Sequence, residues 1–246
     1  MGKCALVCVS VGDKYNRQTE RMIGEFTALN PDWDSCWWYD DGLTSILPKE
    51  CKGWSAFNRC EIGRWVAMEI ALGRYDRVVY CDGDMAWYEP YEASAHGMVL
   101  YPHYVTNAAR KARKHLLWRD GIANIGIIEI GRTNENNGIF DFVIGEVLHN
   151  PRAHMHGDHL WLQNLVSCLP DCGFDCVYNM HAGYNVARWN LREDRSVCKR
   201  DGKYFVKTLD GGVFPLVSFH FSGKSIHRLD RYGEAVAELK REYLCC

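Results

Sequence analysis

Residues 58–85 read NRCEIGRWVAMEIALGRYDRVVYCDGDM, and this stretch decides the fold class of the protein. Its residues 77–81 form a continuous apolar run, which is typical of a strand buried on both faces of a sheet. Asp82 and Asp84 follow directly, so the strand delivers two carboxylates to the sheet edge where ligands bind in open α/β folds. Hard oxygen ligands at this spacing suit Mg²⁺ or Mn²⁺. An Asp-Gly turn without a metal is the alternative, because Asp-x-Asp alone is a weak motif.

Strand and helix patterns alternate on both sides of this stretch. Apolar residues recur at helical spacing over 55–72, with Ile62, Trp65, Val66 and Ile70 on one stripe, and Gly73 ends the helix. The other predicted strands are 3–11, 33–39, 98–101 and 125–130. Four other helices are predicted: one that ends at Leu29, one between the strands 98–101 and 125–130, and two over 137–149 and 159–168. This order predicts an α/β protein with a Rossmann-like, mostly parallel mixed sheet flanked by helices. The sequence after about Cys168 is rich in Gly, Asp and Arg, and we expect it to be irregular.

Composition excludes several classes of protein. The 246 residues are 47% hydrophobic, which excludes a disordered chain. Lys and Arg number 29 against 31 Asp and Glu, so a global electrostatic grip on nucleic acid is not expected. The N-terminal apolar run is too short for a secretory signal or a membrane span, which predicts a cytoplasmic protein. In that compartment the 12 cysteines are expected to be reduced thiols.

Five segments together resemble the GT-A glycosyltransferases. They are the quoted stretch 58–85, the strand 123–128 (ANIGII), the segment 157–162 (GDHLWL), the segment 183–192 (GYNVARWNLR) and the segment 218–224 (SFHFSGK). The matches come in the order of that family and span roughly residues 3–228. The resemblance implies a single GT-A domain over residues 1–246. Its residues 1–130 would be the nucleotide-binding half, and 131–246 an acceptor-side half that completes the metal site.

The resemblance also implies a reaction and a set of site residues. The donor would be a nucleoside diphosphate sugar, with UDP favoured, and the acceptor a hydroxyl of a glycan or another molecule; retention is favoured slightly over inversion. The implied ligands of Mn²⁺ or Mg²⁺ are Asp82, Asp84 and His220. The implied donor-binding residues are Val9, Ser10, Val11, Asp13, Arg64, Asp82, Gly83, Gly126, Gly223 and Lys224. The implied catalytic residues are Asp158 and Asn124, and an inverting enzyme would use Asp158 as its base.

Three alternatives stay open at this point. A basic cluster over 110–119 is either a solvated helix face or a patch for an anionic acceptor or peripheral membrane contact. The protein could instead be a nucleotidyltransferase that makes the nucleotide sugar, although Gly12-Asp13-Lys14 is a poor version of the loop required. It could also be a non-catalytic carbohydrate-binding module that uses its 9 Trp and 13 Tyr.

Overall fold

The computed structural model describes residues 2–133, 136, 138–151, 159–187, 190–191 and 193–221, with the backbone alone for 118–120, 159 and 160. The predictions for Asp158, Gly223 and Lys224 lie outside the described residues. The strands are β1 Cys4–Ser10, β2 Asp34–Tyr39, β3 Arg77–Cys81, β4 Met85–Trp87, β5 Met98–Pro102, β6 Ala123–Gly131, β7 Cys176–Tyr178, β8 Val186–Ala187, β9 Arg195–Arg200, β10 Lys203–Thr208, β11 Val213–Pro215 and β12 Ser218–His220. The α-helices are α1 Asp13–Leu29, α2 Asp40–Ile46, α3 Ala56–Leu72, α4 Asn107–Ala112, α5 Lys114–Asp120, α6 Ile139–His149 and α7 His159–Ser167.

The central sheet has six strands in the order β2-β1-β3-β6-β5-β7. β1 pairs in parallel with β2 and β3, and β5 pairs in parallel with β7. β6 runs antiparallel to both of its neighbours, so the other five strands point the same way. This confirms the predicted mostly parallel mixed sheet. Because β6 is reversed, its first residues lie at the same edge as the carboxyl ends of β1 and β3.

α3 lies on this sheet and is buried along most of its circumference. Ser55 caps it, since the Ser55 hydroxyl accepts a hydrogen bond from the backbone N–H of Asn58 at 3.2 Å. The helix packs against β1 and β3 on one side and against α2 and α6 on the others. The predicted buried stripe is wrong at Ile70, which is 37% exposed. A helix covered on several sides has no single apolar stripe, so helical spacing alone could not select the exposed face.

Two small sheets follow the central one. β12 lies between β4 and β8, and it holds the C-terminal part of the described chain against the end of β3. β9, β10 and β11 form an antiparallel meander in a region that we expected to be irregular. Asp201 and Gly202 join β9 to β10 with φ angles of 48° and 83°, the pattern of an Asp-Gly hairpin turn. The strands escaped prediction because they are half exposed and carry Lys and Arg.

Candidate functional site

A cavity of about 920 Å³ opens at the sheet edge where β1 and β3 end and β6 begins. Its walls come from β1, α1, α3, the segment after β3, the start of β6, and α5. This volume lies within the range of small-molecule sites, about 300–1,000 Å³. Asp82, Asp84 and His220 line one wall of it.

These three side chains converge on one point. One ligand atom of each lies within 4.8 Å of the others. His220 Nε2 is 3.2 Å from Asp84 Oδ1 and 3.8 Å from Asp82 Oδ2. β12 pairs with β4 so that His220 lies opposite Met85, the residue after Asp84. The structure therefore brings together the three residues that the sequence predicts as metal ligands.

The electrostatics of this cluster favour positive charge. Burial works against a charge on His220, but Asp84 and then Asp82 outweigh this effect and raise the pKa of the imidazole. The Asp82 and Asp84 side chains are 29% and 12% exposed, so water screens their mutual repulsion only in part. Such a pair of carboxylates attracts a metal cation.

β6 makes room for the cluster through a bulge, where its pairing with β5 loses register. In the bulge, Gly126 accepts a hydrogen bond from the backbone N–H of Asp82 at 2.8 Å. Asn124 Oδ1 accepts a hydrogen bond from the backbone N–H of Gly126 at 3.0 Å. A Cβ at position 126 would lie 2.9 Å from Asp82 Oδ2 and closer still to the His220 ring. Only glycine leaves the space that these two side chains share.

Arg64 lies beneath the cluster and is only 3% exposed. Its guanidinium pairs with Glu61, donates to the carbonyl oxygen of Ile125 at 2.6 Å and lies 3.8 Å from Asp82 Oδ1. The same group stacks over the ring of Tyr80, whose hydroxyl donates to Asp82 Oδ1 at 2.5 Å. Burial raises the pKa of Glu61 to about 7, although Arg64 lowers it. Arg64 and Tyr80 thus orient the Asp82 carboxylate from below.

The architecture matches known structures. The match to the galactosyltransferase LgtC, solved in complex with donor and acceptor sugar analogues, has a TM-score of 0.55 at 12% identity and covers 97% of this chain and 96% of that one. The chain has the GT-A fold. An active-site mutant of LgtC gives a TM-score of 0.52 at 14% identity, with 97% and 96% coverage. No protein-family model matches the chain, and no match was found among curated proteins.

Most of the predicted donor-binding residues that the structure describes line the cavity, but one does not. Val9, Ser10 and Val11 line the cavity at the end of β1, and Gly83 lines it after the end of β3. Asp13 does not line it, because this residue begins α1 and its side chain is exposed. The turn at the end of β1 is held instead by a residue that the sequence did not single out, Asp40. Its carboxylate accepts hydrogen bonds from the backbone N–H of Gly12 at 2.7 Å and from the Asn16 amide at 2.6 Å.

α1 adds two polar side chains that the sequence analysis missed. Gln18 and Thr19 line the cavity at 6% and 1% exposure. Gln18 Nε2 and Thr19 Oγ1 have no hydrogen-bond partner in the part of the chain that the structure describes. A Cβ at Gly83 would clash with Thr19, so this glycine is needed for close contact with α1 rather than for a turn. Polar residues on the inner face of an amphipathic helix were the signal available in the sequence.

A buried ion pair supports the far wall. The Asp194 carboxylate accepts hydrogen bonds from the backbone N–H groups of Val105 and Thr106, at 2.9 and 2.8 Å. Arg195 Nε lies 3.0 Å from Asp194, and Arg195 Nη1 donates to the carbonyl oxygen of Tyr184 at 2.9 Å. This pair ties the segment after β5, which lines the cavity, to the segment before β8.

The segment 110–119 combines basic residues that have local partners with leucines that line the cavity. Arg110 bonds to the side chain of Asn107 and Arg113 pairs with Glu193, so both cations have a local partner. Leu116 and Leu117 line the cavity instead of facing away from it. Across the described residues, no helix has both the length and the apolar character that crossing a bilayer requires.

Proposed function

We propose that the protein is a metal-dependent glycosyltransferase. It moves a sugar from a nucleoside diphosphate sugar, with UDP favoured as the nucleotide, to a hydroxyl group of a glycan or another acceptor. The observation that carries the proposal is the convergence of Asp82, Asp84 and His220 on one wall of the cavity. The GT-A fold supports it, since LgtC has this fold and was solved with donor and acceptor sugar analogues.

The residues present fit a divalent cation. Two carboxylates and one imidazole form a donor set that suits Mn²⁺ and is acceptable for Mg²⁺. The space that a Cβ at Gly126 would fill lies between Asp82 and His220. Asp82, Asp84 and His220 would hold the ion, which when bound would stabilise the negative charge on a diphosphate leaving group.

The other residues of the cavity bind and orient in this proposal. Val9, Ser10 and Val11 flank the nucleoside at the end of β1, and Gln18 and Thr19, which line the same cavity, each supply a polar atom that has no partner among the described residues. Arg64 orients Asp82 and binds the carbonyl oxygen of Ile125, but it also lines the cavity, and its Nε has no hydrogen-bond partner among the described residues. Contact between Arg64 and the donor stays part of the proposal.

The remaining roles rest on the sequence resemblance. Asn124 lies beside Gly126 and would contact the donor sugar. Gly223 and Lys224 would contact the diphosphate, and Asp158 would serve as the base or orient the acceptor hydroxyl. Retention of the anomeric configuration, favoured slightly over inversion, stays a prediction, as do the cytoplasmic location and the peripheral membrane contact.

Asp84→Ala tests the proposal. Removing one of two hard ligands is expected to weaken Mn²⁺ binding by about 100-fold or more and to abolish sugar transfer, with the fold intact. Asp171→Ala, which removes an exposed carboxylate outside the cavity, is the matched control and is expected to behave as wild type.

The measurements are calorimetric titration of Mn²⁺, with and without UDP, and transfer from a panel of nucleotide sugars. A folded Asp84→Ala protein that binds Mn²⁺ normally would refute the metal site. Stabilisation of the wild type by free sugars, with no response to Mn²⁺ or nucleotides, would favour a carbohydrate-binding module instead.

A further inference from the structure

Asn185 is a buried polar residue in a strained backbone conformation. It is 1% exposed and directly precedes β8, with a φ of 47°, which lies in the left-handed region. Its backbone N–H donates to Ser218 Oγ at 3.0 Å, which fastens it to the start of β12. Strain of this kind persists only where the surroundings hold it, and it is frequent at functional sites.

The side chain of Asn185 is committed to His220. Asn185 Oδ1 lies 3.3 Å from His220 Nδ1. Asn185 Nδ2 is buried and has no hydrogen-bond partner among the described residues. Within that part of the chain, the side chain of Asn185 therefore makes its polar contact with His220.

This contact decides which nitrogen of His220 faces the acidic pair. A carbonyl oxygen can only accept, so Nδ1 must carry the hydrogen and donate it to Asn185. In the neutral imidazole the lone pair is then on Nε2, the atom that lies 3.2 Å from Asp84 Oδ1 and 3.8 Å from Asp82 Oδ2. A lone pair and two carboxylate oxygens that face one point supply three donors for a cation and leave its other positions open.

We propose that Asn185 is a positioning residue for the metal site, which fixes the tautomer and the ring orientation of His220. The proposal rests on the proposed function, because it needs a cation at the Asp82–Asp84–His220 cluster. Histidine ligands commonly donate their second N–H to an acceptor, and loss of that acceptor typically costs 10–100-fold in metal affinity. The left-handed backbone is then the conformation that aims the amide at the ring.

The first test compares two substitutions of Asn185. Asn185→Gly keeps the left-handed backbone without strain and removes the acceptor, so Mn²⁺ affinity is expected to fall about 10–100-fold. Asn185→Asp keeps an acceptor and is expected to bind Mn²⁺ as tightly as wild type or more tightly. Asp201→Gly is the matched control, because it makes a similar backbone change at a φ of 48° in the β9–β10 turn.

The measurement is Mn²⁺ binding without nucleotide, by electron paramagnetic resonance of free Mn²⁺, with Tm recorded for each variant. A merely structural role would lower Tm and leave Mn²⁺ affinity unchanged. An Asn185→Gly protein with wild-type Mn²⁺ affinity would overturn the proposal, and so would an Asn185→Asp protein with strongly weakened binding. The Asp variant keeps the proposal testable even where the Gly variant does not fold.

A double-mutant cycle shows whether Asn185 acts through His220. Once His220→Ala has removed the imidazole, adding Asn185→Gly is expected to cause no further loss of Mn²⁺ affinity. Independent, additive losses would overturn the proposal. Absence of Mn²⁺ binding by the wild type would refute the proposed metal-dependent function itself, whereas an unchanged Asn185→Gly variant of a metal-binding wild type refutes the role of Asn185 alone.

Discussion

Gly126→Ala adds one methyl group at the centre of the acidic cluster. The new Cβ would lie 2.9 Å from Asp82 Oδ2 and closer still to His220 Cε1, whereas ordinary contacts of a Cβ begin at about 3.4 Å. Asp82 must therefore move by about 0.5 Å and the His220 ring by more than that. Metal ligands tolerate displacements of only about 0.2 Å from their preferred distances. The φ of Gly126 lies outside the left-handed region, so the whole effect comes from this contact.

Two quantities are expected to change in the Gly126→Ala protein. Overpacking a filled site costs about 1–3 kcal/mol of unfolding free energy. For a chain of this length, each kcal/mol corresponds to a fall in Tm of roughly 2–4 °C. Mn²⁺ affinity is expected to fall about 10–100-fold, because the His220 ring no longer faces Asp84 at its present distance.

Gly145→Ala is the matched control for Gly126→Ala. This glycine lies within α6, and a Cβ there would meet nothing within 4 Å. The control is expected to gain about 0.5–1 kcal/mol from its higher helix propensity and to leave Mn²⁺ binding unchanged. Calorimetric titration and thermal denaturation measure both effects. A folded Gly126→Ala protein that binds Mn²⁺ like the wild type would show that the cluster is not the metal site.

Two further predictions concern carboxylates. Burial raises the pKa of Glu61 from 4.5 to about 7, so its contribution to stability is complete below about pH 4.5 and is lost as the pH rises through 7. Denaturant titrations should show the wild type losing at least about 1 kcal/mol relative to Glu61→Gln between pH 5 and pH 8; a constant difference would contradict the assignment. Asp158→Asn is expected to lower sugar transfer about 100-fold or more with donor affinity unchanged in an inverting enzyme, because an amide cannot take the acceptor proton; in a retaining enzyme the loss is expected to be smaller and shared with KM. A wild-type rate would remove Asp158 from the site, and the product anomer, read by NMR, separates a base from an orienting role.

The sequence by itself determined the sheet and the position of the acidic pair. The run at 78–81 is apolar on both faces, and this pattern is local, since it depends only on what a strand in the middle of a sheet must contact. The Asp82–Gly83–Asp84 segment follows that strand directly, so its location at the ligand-binding edge came with the strand. The turn of the β9–β10 hairpin was also encoded locally, in Asp201 and Gly202. Its strands were not predicted, because they carry many Lys and Arg residues and lack a clear apolar pattern.

Only the tertiary structure decided which distant groups meet this edge. His220 reaches Asp84 because β12 pairs with β4, and Asn185 reaches His220 because β8 pairs with β12. Asp13 follows the end of β1 closely in the sequence but begins α1, and its exposed side chain lies outside the cavity. Periodicity reports the face that a residue occupies within its own element, whereas long-range pairing decides which elements become neighbours. The sequence thus named the ligands one by one, and the packing of three short strands made them one site.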